Sequence, residues 1–330
     1  MANTTIYDVA GIAKVSLATV SRVMNNPEKV NPATRERVLK VINELGYRPN
    51  AIARGLASRK STTIGVVVSD ITRAYISQML GGVIDIAKKY NNSIKIFSTN
   101  GDVDFEDSIK QVVAEQVDGV LFLNEELTDE QAKVLINDLS DSQIPLIFTN
   151  MSFKDSDLPY VMIDYVEGTY EITKKMIEKG RKDIYLFSTV RHYYTNDLKE
   201  QGYIKAMTEA NLEPKVFRTS GDVAINTAHF TEFFKTHNID GAISVRDSIA
   251  ISFMNVAINS GKKIPEDISV AGLQNTKYAI LSRPNLTCLD TQVYDIGAVS
   301  MRLLTKLMQN EAVDNKHVVL PHKIVERNSL

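Results

Sequence analysis

In the first 46 residues apolar positions recur at helical spacing in three short runs. Thr5 can cap the first, with Asp8 three residues on, a variant of the capping box. Val9, Ala10 and Ala13 then give a small apolar face. Ser16 can cap a second helix, in which Val20, Val23 and Met24 share one side. Asn25-Asn26-Pro27 ends it. Asn31 followed by Pro32 is an N-cap with proline at the first helical position. The third helix turns Val38, Val41, Ile42 and Leu45 inward, and Gly46 closes it. Only Lys14-Val15-Ser16 separate the first two helices, the short connection that a helix-turn-helix requires.

The pattern changes at Tyr47-Arg48-Pro49-Asn50. Asn50 can cap a short helix over Ala51–Ala57, too short to be stable alone, since isolated helices below ~12 residues are marginal. Arg59-Lys60-Ser61-Thr62 reads as a linker. From residue 63 short apolar runs alternate with helical stretches. Thr63–Ser69, Ser93–Ser98, Gly119–Leu123 and Pro145–Thr149 are strand-like, with helices predicted over Ile76–Tyr90, Asp107–Glu115 and Asp129–Leu139. A second set follows: strands Asp183–Phe187, Gly241–Val245 and Ile268–Gly272, with helices near Gly168–Lys179, Lys199–Ala210, Ala228–His237 and Ser248–Ser260. Strand and helix in alternation imply parallel sheets covered by helices. The predicted class is α/β: an all-α helix-turn-helix head followed by a core of two similar lobes.

Charge sharpens this division. Over 330 residues the net charge is −2. Residues 1–60 hold ten basic and four acidic side chains, a net +6, and the remainder holds 28 basic and 36 acidic, a net −8. A basic head on an acidic body is expected where only the head touches phosphate. Cys288 is the only cysteine, which excludes an internal disulfide and a Cys-based zinc site and favours the cytoplasm. Met1-Ala2-Asn3-Thr4-Thr5 has no charged segment followed by an apolar one, so no secretion signal is expected. Runs such as Ile64–Val68 are far too short to span a membrane.

The second helix opens Ser16-Leu17-Ala18-Thr19-Val20-Ser21-Arg22. With Val20, Val23 and Met24 inward, Leu17, Ala18 and Arg22 face out at its N-terminal half, the half a recognition helix presents to base edges. Arg22 can donate a bidentate pair to guanine, and Leu17 and Ala18 can meet thymine methyls. Thr5, Tyr7, Ser16, Thr19 and Ser21 carry hydroxyls suited to phosphate oxygens, which position a domain without reading sequence. The competing reading is a plain three-helix bundle in which these Ser and Thr residues are only caps.

Three segments carry a resemblance: Ile6-Tyr7-Asp8-Val9-Ala10, Val15-Ser16-Leu17-Ala18-Thr19-Val20-Ser21-Arg22-Val23 and Gly46-Tyr47-Arg48-Pro49-Asn50-Ala51-Ile52-Ala53-Arg54-Gly55-Leu56. Together they resemble the LacI/GalR repressor signature. The resemblance implies DNA contacts from Thr5, Tyr7, Ser16, Leu17, Ala18, Thr19, Ser21 and Arg22. It also implies a hinge helix after Pro49 that orders on the operator, with Asn50, Ala53, Leu56 and Ala57 in the minor groove and Leu56 as the wedge between base steps. The implied division is 1–48 for the head, 49–61 for hinge and linker, 62–161 with 291–321 for one lobe, and 162–290 with 322–330 for the other. The core would resemble periplasmic sugar-binding proteins, with an effector cleft between the lobes. Arg191, Asp247 and Gln274 are its candidate polar groups. Gln274 stands where an acid is common in the family, and an amide accepts sugar hydroxyls less strongly than a carboxylate.

A closer likeness lies in Arg54–Thr63, Tyr294–Lys306 and Leu320-Pro321-His322-Lys323, which are similar to the catabolite-control branch of the family in low-GC Gram-positive bacteria. That likeness implies a protein partner, the phosphocarrier HPr phosphorylated on serine, as corepressor of a homodimer on operator double-stranded DNA. Arg302 and Lys306 are four apart and share a helix face. A guanidinium can grip phosphate oxygens in bidentate fashion, with the lysine adding a point charge. Tyr294 and Asp295 would contact the carrier, and Lys323 stands where a second arginine is usual. From spacing alone, Arg302 and Lys306 read as a solvated helix face, and it is the surrounding likeness that turns them toward a partner. Around His192-Tyr193-Tyr194 and at Thr291-Gln292 the chain departs from that branch.

The alternative within regulators is a LacI-type repressor of a sugar operon, released or activated by a small sugar or sugar phosphate in the cleft. A periplasmic transport protein would share the core but not the basic head. Five scattered histidines and the absence of a Gly-rich phosphate loop before Lys-Ser/Thr give no enzyme motif. No metal and no required cofactor is expected, a weak sugar-phosphate effector aside.

Overall fold

The computed structural model describes residues 4–47, 61–99, 105–123, 142–152 and 157–330, together with Gln131, Lys133, Ile136, Asn137 and Leu139. The chain divides into two compact units, Met1–Ser61 and Thr62–Leu330. The expected hinge helix, with Asn50, Ala53, Leu56 and Ala57, lies outside the described residues.

The first unit holds helices α1 (Ile6–Ala13), α2 (Leu17–Asn25) and α3 (Pro32–Glu44), with a 3₁₀ turn over Pro27–Lys29 between the last two. Helices of this length are marginal alone and are held by what they bury. Val9, Ala10, Ala13, Val20, Val23, Val38 and Val41 form the core, and Ile6, Val15, Met24, Ile42, Leu45 and Tyr47 pack around it. Burial of one valine contributes about 1.5 kcal/mol or more. The caps match the sequence: the Ser16 and Asn31 side chains accept from the Thr19 and Ala33 amides. Lys14, at φ 52°, takes the left-handed turn between α1 and α2.

The second unit contains two six-stranded sheets. In the first, β1 (Thr63–Val68), β2 (Ser93–Ser98), β3 (Gly119–Leu123), β4 (Leu146–Thr149), β5 (Tyr160–Ile163) and β11 (His317–Leu320) lie in the order β11-β5-β4-β3-β1-β2, and every pairing is parallel. Helices α4 (Ala74–Lys89), α5 (Phe105–Ala114) and α11 (Val293–Met308) belong to this lobe. In the second, β6 (Ile184–Thr189), β7 (Lys215–Thr219), β8 (Gly241–Ser244), β9 (Ser269–Gly272), β10 (Thr287–Asp290) and β12 (Lys323–Val325) lie in the order β12-β10-β9-β8-β6-β7. Only β12 is antiparallel. Here α6 (Tyr165–Glu178), α7 (Tyr194–Glu209), α8 (Val223–Thr236), α9 (Asp247–Asn259) and the short α10 (Lys277–Leu281) are the helices.

Central strands such as Ile64–Val68 and Gly119–Leu123 are buried throughout. That follows from helices on both faces of a parallel sheet, which leave no solvent side and so no alternation. The chain passes between lobes three times: from β5 to α6, from β10 to α11 and from β11 to β12. Such sheets bind ligands beyond the carboxyl ends of their strands. Among the described residues no helix is long and apolar enough to cross a membrane.

Candidate functional site

In the head, the N-terminal half of α2 presents Leu17, Ala18 and Arg22 to solvent, while Val20 and Val23 are buried. Ser16 is exposed, and Thr19 and Ser21 are half-buried. The Ser16 hydroxyl lies 2.9 Å from that of Thr19, and Asn25 Nδ2 donates to Ser21 Oγ. At the start of α1 the Thr5 amide and hydroxyl both donate to Asp8 Oδ2 at 2.8 Å. These bonds hold the Asp8 carboxyl below its ordinary range. They also fix the entry of α1, which carries Tyr7, 70% exposed. A 70% exposed tyrosine on a small domain is unspent apolar and hydroxyl surface.

In the core, a cleft of about 430 Å³ opens between the lobes. Asp70, Thr72, Arg73, Ala74 and Tyr75 line it from the first lobe, and Arg246, Gln274, Thr276 and Tyr278 are among its lining from the second. Gln274 thus lies on the cleft wall, and Asp247 does not. Its carboxylate is fully buried, and Oδ2 accepts from the Thr276 amide at 2.6 Å and the Thr276 hydroxyl at 2.9 Å. Burial pushes this carboxyl up, against the opposing hydrogen bonds from Thr276 and Asn275. Asp247 thus holds the loop that carries Gln274 and Thr276, and its neighbour Arg246 is the residue that reaches the cleft. Arg191 is exposed and is not among the lining residues; its carbonyl accepts from the Thr189 hydroxyl. The sequence reading missed Arg73 as a lining group, and of the Arg246-Asp247 step it chose Asp247. Arg73 and Arg246 are both N-caps of helices that follow strand ends, a position that was the available signal.

Arg246 is 8% exposed, and Gly221, at φ +86°, leaves room beside it: a Cβ there would lie 2.6 Å from Arg246 Nη1. Asp222 is already engaged, since its carboxylate caps α8 through the Ala224 and Ile225 amides. Asp70 accepts from the Thr72 amide and hydroxyl and lies 3.5 Å from Arg73 Nε. A cleft with an arginine from each lobe and three helix N-termini nearby favours negative charge.

On α11, Asp295, Arg302 and Lys306 fall on one exposed face, and Tyr294 is 46% exposed. Among the described residues neither Arg302 nor Lys306 forms a salt bridge. Lys323 differs: its ammonium lies 3.5 Å from Asp290. The Tyr294 hydroxyl donates to Asp85 on α4 at 2.6 Å.

Residues 5–50 match bacterial regulatory proteins of the lacI family, and residues 173–330 match a periplasmic binding protein-like domain. The catabolite control protein A of Priestia megaterium is 36% identical, covering 99% of each chain. That of Staphylococcus epidermidis is 37% identical over 98% of each. Among solved structures, a lac repressor dimer bound to operator and the anti-inducer ONPF superposes with a TM-score of 0.89 at 25% identity, covering 99% of both chains. The CcpA of Lactococcus lactis gives 0.71 at 31% identity, covering 81% of this chain and 98% of that one. A transcriptional regulator CelR–cellobiose complex gives 0.74 at 25% identity, covering 99% and 100%. With a lacI-type head, a two-lobed core and relatives more than a third identical along nearly its full length, the chain belongs to the LacI family of DNA-binding transcription regulators.

Proposed function

We propose that this regulator serves carbon catabolite control as a cytoplasmic homodimer whose operator binding is strengthened by serine-phosphorylated HPr. The observation that carries the reading is the pair Arg302 and Lys306, one turn apart on the exposed face of α11 with Tyr294 and Asp295 beside them. A guanidinium and an ammonium at that spacing can share a phosphate dianion. The relatives named catabolite control protein A support a role in catabolite control. Dimerisation is supported by exposed apolar side chains on the second lobe: Val223 and Tyr278 flank the cleft, and Ile225, Ile280 and Leu281 follow them in α8 and α10. In this reading residues 1–48 read DNA, 49–61 form hinge and linker, and the remainder forms the two lobes with the boundaries given above. The chain carries out no catalysis in this role.

The test is a titration of operator affinity with and without serine-phosphorylated HPr. A coupling of ~1–3 kcal/mol, about 5- to 150-fold, is the expected gain. An operator affinity that does not change overturns the reading.

The cleft supports a second reading, a repressor controlled by a small sugar or sugar phosphate. Arg73 and Arg246 favour a phosphorylated ligand over a neutral one. Calorimetry with sugars and sugar phosphates separates the two readings: micromolar binding that lowers operator affinity supports the second.

A further inference from the structure

Helices α4 and α11 meet backbone to backbone. A Cβ on Gly82 would collide with the carbonyl oxygen of Tyr294, and one on Gly297 with that of Met79. One residue before Gly82, the Tyr294 ring rests on Gly81, whose missing Cβ would lie 3.7 Å from Cδ2 and 3.8 Å from Cε2. Four residues beyond Gly81, Asp85 accepts the Tyr294 hydroxyl at 2.6 Å. Residues four apart on a helix stand one above the other. Gly81, Gly82 and Asp85 therefore form a seat on α4 along which the tyrosine lies, with its outer ring face open to solvent.

We propose that Asp85 is a positioning residue for the partner-docking face: it anchors the Tyr294 hydroxyl so that the ring forms a fixed wall at the N-terminal end of the face that carries Asp295, Arg302 and Lys306. This deepens the phosphoprotein reading and rests on it. A tyrosine fixed at both ends loses little rotamer freedom on docking, which is how preorganised aromatic anchors gain affinity. Gly81 gives the ring its floor, while the buried Gly82 meets the Tyr294 backbone, and neither glycine offers a side chain beside the ring. Without Asp85 the phenol end has no anchor, and the ring can swing over the approach to Arg302. The hydrogen bond to Asp85 also raises the phenol above its ordinary titration range, assisted by the charges of Asp85 and Asp295 and opposed by Arg302.

The experiment compares Asp85→Ala and Asp85→Asn in the full-length chain. Affinity for serine-phosphorylated HPr is measured by calorimetry, with thermal unfolding as the check on folding. Asparagine keeps a hydrogen-bond acceptor, so Asp85→Asn should bind within about twofold of the parent. Asp85→Ala should bind about tenfold more weakly, the value of one good charge-assisted hydrogen bond. Ultraviolet titration, taken as the difference from Tyr294→Phe, should show the Tyr294 phenol falling toward its ordinary range in both variants. An Asp85→Ala protein that binds the partner as the parent does, or more tightly, overturns the proposal, as does a Tyr294 phenol unmoved by either substitution. If the parent itself fails to bind serine-phosphorylated HPr, the docking reading fails, and the phenol titration still decides whether Asp85 anchors Tyr294.

Discussion

Arg22 and Asp247 are both polar residues at helix positions, yet they have opposite surroundings. Arg22 stands in solvent on α2 with apolar residues behind it. In a groove it can reach guanine, so Arg22→Ala should cost about 1–3 kcal/mol and relax the preference at one base pair of each half-site. Selection of bound DNA from a random pool reads this directly. A consensus identical to the parent's would move the reader to another residue. Asp247 is buried and holds Thr276. Asp247→Ala strands the buried Thr276 amide and hydroxyl, and about 2–4 kcal/mol of stability should go with them. Burial, the largest influence on this carboxyl, raises its pKa in the folded state. The folded protein thus keeps the proton to higher pH than the unfolded chain. The resulting stabilisation is full below the ordinary carboxyl pKa and is lost as pH rises through the folded value. In urea unfolding from pH 4 to pH 8, the parent should lose ground to Asp247→Asn as pH increases; parallel curves would show that this carboxyl does not titrate differently on folding. The direction in which Arg22 points was legible because its neighbours at helical spacing are valines and a methionine. Asp247 was not, because a residue type reports its chemistry and not which way a helix start turns. The partner that decides the matter, Thr276, lies 29 residues away.

Elements were legible where composition and packing agree. The interior strands β1, β3, β4, β6, β8 and β9 are almost wholly buried and mostly apolar because both sheet faces are covered, with polar residues such as Thr149, Ser188, Ser244 and Ser269 at their ends. The strands that the sequence hid have weaker signals. The edge strand β7 reads Lys-Val-Phe-Arg-Thr and is mostly half-buried; β11 lies at the other sheet's edge; and β12 has three residues. Strand β10 is bounded by the polar Thr287 and Asp290, which leave only Cys288 and Leu289 as an apolar signal, and β5 was missed although its Tyr-Val-Met-Ile run is as long as β4. Helix contacts were equally hidden, since nothing in Gly82 or Gly297 announces that the two backbones touch. Gly297→Ala places a methyl against the Met79 carbonyl. Overpacking of this kind should cost about 1–3 kcal/mol and lower the melting temperature by roughly 2–4 °C for each kcal/mol. Gly11→Ala supplies the contrast. It lies in α1 with nothing near the added methyl. There the gain in helix propensity should stabilise the head by up to about 1 kcal/mol. Calorimetric melting of both variants tests the pair, and a Gly297→Ala protein as stable as the parent would mean that the helices part at no cost.

At the scale of the whole molecule, charge and linkage govern behaviour. Residues 1–60, head and hinge together, carry +6 while the rest of the chain carries −8, so non-specific attraction to phosphate comes from one end only. Two heads in a dimer that together neutralise six to ten phosphates would lose about 10³–10⁵ in operator affinity between 50 and 200 mM salt. A shallower slope would place fewer cations on the DNA than the head's charge permits. The proposed docking of a phosphoprotein on Arg302 and Lys306 would also be screened, so the coupling between the two sites has meaning only at one ionic strength. Held there, the coupling is a single free energy, and either ligand reports it. Under the proposed regulation, the factor by which serine-phosphorylated HPr tightens operator binding must equal the factor by which operator tightens the binding of that partner. Two titrations in each direction close the cycle. Equal factors mean that docking face and DNA-reading head are linked through the protein. Unequal factors, beyond measurement error, would mean that the phosphoprotein touches DNA itself or that the dimer changes its assembly between the two legs. In that case the exposed cations on α11 would no longer account for the enhancement.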